Sequence, residues 1–358
     1  MNQKQIESIT IPRWFDRHLH IRDGDMMRKV LPSTLNQRAT GAVIMPNLID
    51  PISTVEKAMD YRQRIQFAIN AVFTGQTANS DFLPCMTLYL TDQISPEEVV
   101  RGFDQGAWSG VKLYMADQQG QGGTTGSHSG VKNLLGRYRV FEAMEKHGIP
   151  LLGHFEAVER VVDEFDREVV SLERDLMPIL KSFPNLEVVF EHITDGRAAD
   201  FVAEADHKIN ATVTVQHMTL NRNEMFWGGM NPVNYCKPVP KREEHRQKVR
   251  RYVTSGHPRF GAGTDSAPHD VSAKSRCSGC AAGIFTADSA VERYTAIFEE
   301  DDALQHLGPF LSENFLHIYG RKVSDEMMTI EHKTSVIPEY IGGVKVFQAG
   351  STLQWKLV

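Results

Sequence analysis

Eight short apolar runs recur along this chain of 358 residues, each closing on polar or ionisable residues before a loop and a helix-like stretch. The runs are Phe15–Ile21, Gly41–Met45, Leu83–Leu90, Gly110–Tyr114, Pro150–His154, Glu187–Glu191, Ala211–Gln216 and Arg259–Gly263. Runs of this length fit strands buried on both faces. Alternating with helices, they predict a parallel sheet with right-handed crossovers. Eight is also the number that closes a (β/α)8 TIM barrel. The competing architecture is a doubly wound open sheet, often with a glycine-rich first turn. Here the first turn reads HLHIRDGD, without that motif, so the barrel is preferred. Residues 1–358 then form one barrel domain with a C-terminal extension, about 321–358, containing strand-like pieces such as Val344–Phe347.

Helical patterns are expected over Thr54–Ile69, Ser95–Asp104, Gly130–Lys146, Glu159–Lys181, Asp195–Glu204, Arg242–Ser255, Asp288–Glu300 and Pro309–Tyr319. Ser53 with Glu56, and Ser95 with Glu98, read as capping boxes. Apolar residues make up 41% of the chain, enough to build a core rather than a disordered polymer. The formal charge of −6 argues against general nucleic-acid binding, which needs a basic face. No apolar run is long enough for a transmembrane helix, and the N-terminus has no secretion-signal pattern. Four cysteines are no disulfide framework, so a cytoplasmic location is expected. Cys277 and Cys280 read as ordinary thiols, because a structural zinc site would need two further ligands.

Barrel enzymes draw their reactive groups from the C-terminal ends of several strands. His18 and His20 end the first run; alternation along a strand turns both imidazoles to one side, where one metal can accept both. His154 ends the fifth run, His192 follows the sixth, and Asp265 lies in the small-residue segment GAGTDSAPH after the eighth. Imidazole suits zinc, and an aspartate at such a site can ligate metal or take a proton from metal-bound water. Lys112, in GVKLY, stands where another ligand is wanted. A free ammonium repels a dication, whereas a lysine carbamate offers two oxygens and one negative charge that can bridge two metals. A salt-bridged or solvated lysine is the alternative.

Taken together, HLHIRDGDM, MPNL, GVKLY, the histidines His154 and His192, FEHIT, QHMTLNRNEM, NYCKPV and GTDSAPH resemble the dihydroorotases of the amidohydrolase superfamily, the type found as a separate bacterial or fungal enzyme. The resemblance runs from about Trp14 to Gly320. It implies a barrel with two zinc ions. His18, His20, Lys112 and Asp265 would hold the first; carboxylated Lys112, His154 and His192 would hold the second, with a bridging hydroxide. It further implies that Arg22, Asn47 and His269 grip a substrate carboxylate. Thr124 and Thr125 would sit on a loop closing over substrate, and the backbones of Lys237 and Ala281 would face a pyrimidine ring. The implied reaction is reversible hydrolysis of dihydroorotate to carbamoyl aspartate, the third step of pyrimidine biosynthesis. Asp265 would be the catalytic proton carrier, and the assembly a homodimer. Rival readings are a dihydropyrimidinase or hydantoinase, whose neutral ring needs no carboxylate grip, and a barrel without catalysis.

Overall fold

A computed structural model describes residues 6–72, 81–117, 129–276 and 279–358. The eight expected runs form the ring of a (β/α)8 barrel. Asp16–Leu19, Gly41–Ile44 and Leu83–Met86 make one parallel group. Leu88–Tyr89, Val111–Tyr114, Leu151–His154, Val188–Phe190, Ile209–Val213 and Phe260–Ala262 make the other. The third run serves both groups because it breaks at Thr87, whose hydroxyl donates to the Ile44 carbonyl at 2.6 Å. Ser109 N–H still bonds the Met86 carbonyl at 2.9 Å, carrying the pairing across the break. First and eighth strands close the ring: Asp265 N–H donates to the His18 carbonyl (2.9 Å) and His20 N–H to that of Ser266 (3.2 Å).

Apart from exposed Leu83 and half-buried Asn210, the barrel strands are buried on both faces, which explains the near-continuous apolar runs. Inside the ring, Val43, Cys85, Leu152 and Val189 pack with Phe315, Leu316 and Tyr319. The outward faces join the larger core shared with the helices.

Several expected elements are corrected. The seventh run ends at Val213, and Gln216 lies in a short helix, Val215–Thr219, capped by the Thr214 side chain. The first crossover is a helix, Gly24–Asn36, that the periodicity did not reveal; Pro32 lies inside it. Gly130–Lys146 is helical only from Leu135, as a short turn followed by Tyr138–His147. In Pro309–Tyr319, Phe315 adopts a left-handed conformation (φ 41°) between two short turns. Thr54, rather than Ser53, accepts the Lys57 N–H at the head of Val55–Val72.

The C-terminal extension is tied to the N-terminus. Ser8–Pro12 pairs antiparallel with Met327–Val336, which pairs in turn with Thr352–Leu357. Trp355 is buried and donates to Glu299 on helix Ala290–Glu300, fastening this three-stranded sheet to the barrel. Among the described residues, no helix is long and apolar enough to cross a membrane.

Candidate active site

All six expected ligand residues are buried at one end of the ring. His18 is on the first strand and His20 follows it; Lys112 is on the fourth and His154 ends the fifth. His192 and Asp265 lie just beyond the sixth and eighth strands. His18, His20 and Asp265 each bring a ligand atom within 4.8 Å of the others. Asp265 Oδ1 is 3.0 Å from His20 Nε2 and 3.4 Å from His18 Nε2. The His192 ring stands 5.0 Å from His18 and 4.5 Å from His154, centroid to centroid. Gly263 admits this crowding, since a Cβ there would lie 2.9 Å from Thr212 Cβ and 3.0 Å from His18 Cβ. Arg22, His192 and Asp265 all have left-handed backbones, with φ of 63°, 40° and 45°. Non-glycine residues rarely adopt this conformation, and it clusters where surrounding structure forces a side chain into place.

Burial sets the protonation of the cluster. It pushes His20 down to about 3, and drives His154 and His192 below the usual imidazole range, leaving neutral rings with lone pairs available to a metal. For His18 burial acts the same way, but the Glu191 carboxylate, 2.6 Å from Nδ1, and the Asp265 carboxylate together outweigh it and raise the pKa. Burial opposes the charge on Asp265, yet hydrogen bonds from His18 and His20 hold it well below the usual carboxylate range. Lys112 is fully buried and its Nζ has no hydrogen-bond partner among the described residues. Burial lowers its pKa to about 8, against the pull of Glu191 and Asp265.

A cavity of about 660 Å³ is lined in part by Arg22, Asn47 and His269, though by none of the six ligand candidates. Arg22 Nε donates to the Pro268 carbonyl (3.2 Å), and its Nη2 lies 3.0 Å from His269 Nε2. His269 Nε2 is also 2.9 Å from the Ala282 carbonyl. One ring nitrogen cannot accept from Arg22 and donate to Ala282 at once, so the tautomer decides which bond forms. Tyr61 fixes the Arg22 backbone by donating to its carbonyl at 2.5 Å. Lys237 is half-buried and pairs with Glu164 at 3.3 Å. Ala281 is also half-buried, and its N–H is bonded to the Ala273 carbonyl (3.0 Å). Thr124, Thr125 and Cys277 lie outside the described residues.

Sequence reasoning missed the groups that hold the ligands. Glu191 accepts from His18 Nδ1 and from the Thr212 hydroxyl, and Thr212 Oγ1 accepts His192 N–H, so one buried threonine links two candidate ligands. Glu156 bonds His154 Nε2 at 2.6 Å; burial works against its charge, but that bond holds it down to about 2. A glutamate beside or near each strand-end histidine was the available signal, in FEH and HFE.

No protein-family model matches the chain. A dihydroorotase of Sphingopyxis alaskensis is 44% identical over 352 residues, covering 98% of this chain and 99% of the relative. The chain belongs to the dihydroorotase family. Its members are metal-dependent cyclic amidohydrolases. The crystal structure of Saccharomyces cerevisiae dihydroorotase in complex with 5-fluoroorotic acid matches with a TM-score of 0.87 and 29% identity, over 99% of both chains. An L-hydantoinase of Arthrobacter aurescens reaches a TM-score of 0.76 at 13% identity, over 97% of this chain and 82% of its own; that likeness is one of fold alone.

Proposed function

We propose that the chain is a zinc-dependent dihydroorotase, interconverting dihydroorotate and carbamoyl aspartate for pyrimidine synthesis. The observation that carries this reading is Lys112 Nζ, fully buried near carboxylates and neutral imidazoles without a hydrogen-bond partner among the described residues. An amine is costly in such a place unless it has a partner or is converted to something else. Carboxylation turns it into a bidentate anion. Buried His192 Nδ1 also lacks a hydrogen-bond partner among the described residues, and His18 Nε2 faces the Asp265 carboxylate, so the donor set fits a metal pair. His18, His20, Lys112 and Asp265 would hold one zinc, and carboxylated Lys112, His154 and His192 the other. When bound, the metals supply a hydroxide at neutral pH and polarise the amide carbonyl.

The chain's own groups do the rest. Asp265, kept ionised, accepts a proton at its carboxylate and returns it to the leaving ring nitrogen. Arg22 offers the substrate carboxylate a planar, permanently charged partner, with Asn47 and His269 on the same cavity wall. Thr124 and Thr125 are assigned to substrate cover, and the Lys237 and Ala281 backbones to the ring. Glu191 and Glu156 orient His18 and His154. One unit comprising barrel and terminal sheet, acting as a cytoplasmic homodimer, completes the reading.

The test is ring opening by purified protein supplied with zinc and bicarbonate, given dihydroorotate, dihydrouracil and hydantoin at equal concentration. Preference for dihydroorotate is expected. Preference for a neutral ring overturns the substrate assignment, and zinc binding without turnover of any of them overturns the activity.

A further inference from the structure

Lys274 ends the short helix Val271–Lys274 and is buried. Its ammonium meets two backbone carbonyls, Tyr235 at 2.8 Å and Gly283 at 2.7 Å, and lies 6.0 Å from the centre of the Tyr235 ring. The two carbonyls belong to different loops. Tyr235 precedes Cys236 and Lys237 in the segment after the seventh strand; Gly283 follows Ala281 in the segment after the eighth. Gly283 N–H also donates to the Tyr235 carbonyl at 3.0 Å, so that oxygen accepts from both groups.

The place is tight. A Cβ on Gly283 would lie 2.7 Å from the Ala267 carbonyl oxygen and 2.9 Å from His269 Cδ2, and its φ of +144° is one that side chains rarely adopt. Ala281 N–H is tied to Ala273, the residue before Lys274. The lysine thus joins two loops at points each two residues from a backbone assigned to the ring. Burying a long cationic side chain between loops is expensive in desolvation and rotamer entropy. Holding two carbonyls at fixed separation is what the arrangement obtains.

We propose that Lys274 is a positioning residue that clamps the Tyr235–Lys237 and Ala281–Gly283 segments together, setting the width of the slot that receives the pyrimidine ring. This rests on the assignment of Lys237 and Ala281 to the ring. Burial lowers the lysine's pKa only to about 8, so the ammonium donates at pH 7. Without it, two carbonyls lose a charged donor, and the loops keep only the backbone bond from Gly283 N–H to Tyr235. Misplacing a recognition group by about an ångström costs roughly tenfold to a hundredfold, and contacts made equally in ground and transition states appear in KM.

The experiment measures kcat, KM for dihydroorotate and bound zinc for the unsubstituted protein and Lys274→Met. The expected result is a KM raised about tenfold or more, with kcat changed less than about threefold and zinc content unchanged. Lys274→Arg, which keeps the charge and donors, should recover most of the KM. An unchanged KM, or kcat falling as far as KM rises, overturns the proposal. Should Lys274→Met fail to fold, Lys274→Gln, which retains a single amide donor, is read by the same division. Failure of the dihydroorotase assignment shows separately, as absence of turnover in the unsubstituted protein.

Discussion

Replacing Lys112 with methionine is expected to stabilise the metal-free fold while disabling the site. The side chain is fully buried, and its Nζ has no hydrogen-bond partner among the described residues. Its pKa falls from 10.5 to about 8, mainly through burial, which corresponds to about 3 kcal/mol against the charged amine in the folded chain. The sign follows from linkage. Below pH 8 the lysine is protonated in folded and unfolded chains alike, and the full cost applies. Between pH 8 and 10.5 only the unfolded chain keeps its proton and the cost fades; above 10.5 it is gone. Methionine occupies a similar volume without the charge. After chelator treatment, urea unfolding at pH 7 should therefore show Lys112→Met more stable than the parent by up to about 3 kcal/mol. The difference should shrink as the pH rises through 8 towards 10.5. Zinc with bicarbonate should reverse the order: ligand at a thousand times its Kd adds about 4.1 kcal/mol to a competent site, and the variant should gain far less. A metal-free variant no more stable than the parent would refute the reading of Nζ as a buried amine whose burial outweighs the pull of Glu191 and Asp265. An equal gain from zinc in both proteins would remove Lys112 from the metal set.

Three further outcomes are expected. Asp265→Asn should fold and lose at least about a hundredfold in kcat, the lower end for a positioned proton carrier; near-normal turnover would end that role. Arg22→Met should raise KM for dihydroorotate about tenfold to a hundredfold, as for loss of a charge-assisted pair worth ~1.5–3 kcal/mol, while any slow turnover of dihydrouracil keeps its KM; a matching change on the neutral ring would place Arg22 elsewhere. Glu191→Gln should weaken zinc binding by roughly tenfold to a hundredfold, measured by competition with a chelating dye, because His18 Nδ1 loses its charged partner.

The barrel was legible because burial on both faces leaves a plain record: apolar strands ending in ligand-type residues. All eight strands fall within or close to their expected runs, and all six ligand candidates sit at one end of the ring. What escaped was encoded less plainly. Gly24–Asn36 carries Pro32 in its interior, a residue that ordinarily argues against a helix. The end of the seventh strand was hidden because Val215 and Gln216 continue an apolar run while Thr214 turns the backbone into a helix. Partners such as Glu191 with His18, 173 residues apart, cannot be read from local pattern, since only the closed ring brings them together. The role of Lys274 was hidden in the same way, because its two partners are backbone carbonyls and carry no residue signature.

Closing the barrel and assembling the candidate metal triad are one structural event. Asp16, on the first strand, accepts from Thr264 N–H, the Thr264 hydroxyl and His18 N–H, all across or along the seam with the eighth strand. One residue further, Asp265 N–H meets the His18 carbonyl, and the next rung joins His20 to Ser266. These bonds fix the register of the seam, and the register sets His18 and His20 against the Asp265 carboxylate. A slip of one residue would turn the histidines to the opposite face. A metal held by His18, His20 and Asp265 would therefore bind the closed ring and not the open chain, and its binding energy would act as folding energy at the seam. The left-handed backbone at Asp265 belongs to the same bargain: strain that a free loop would relax persists because strand closure and ligand geometry both require it.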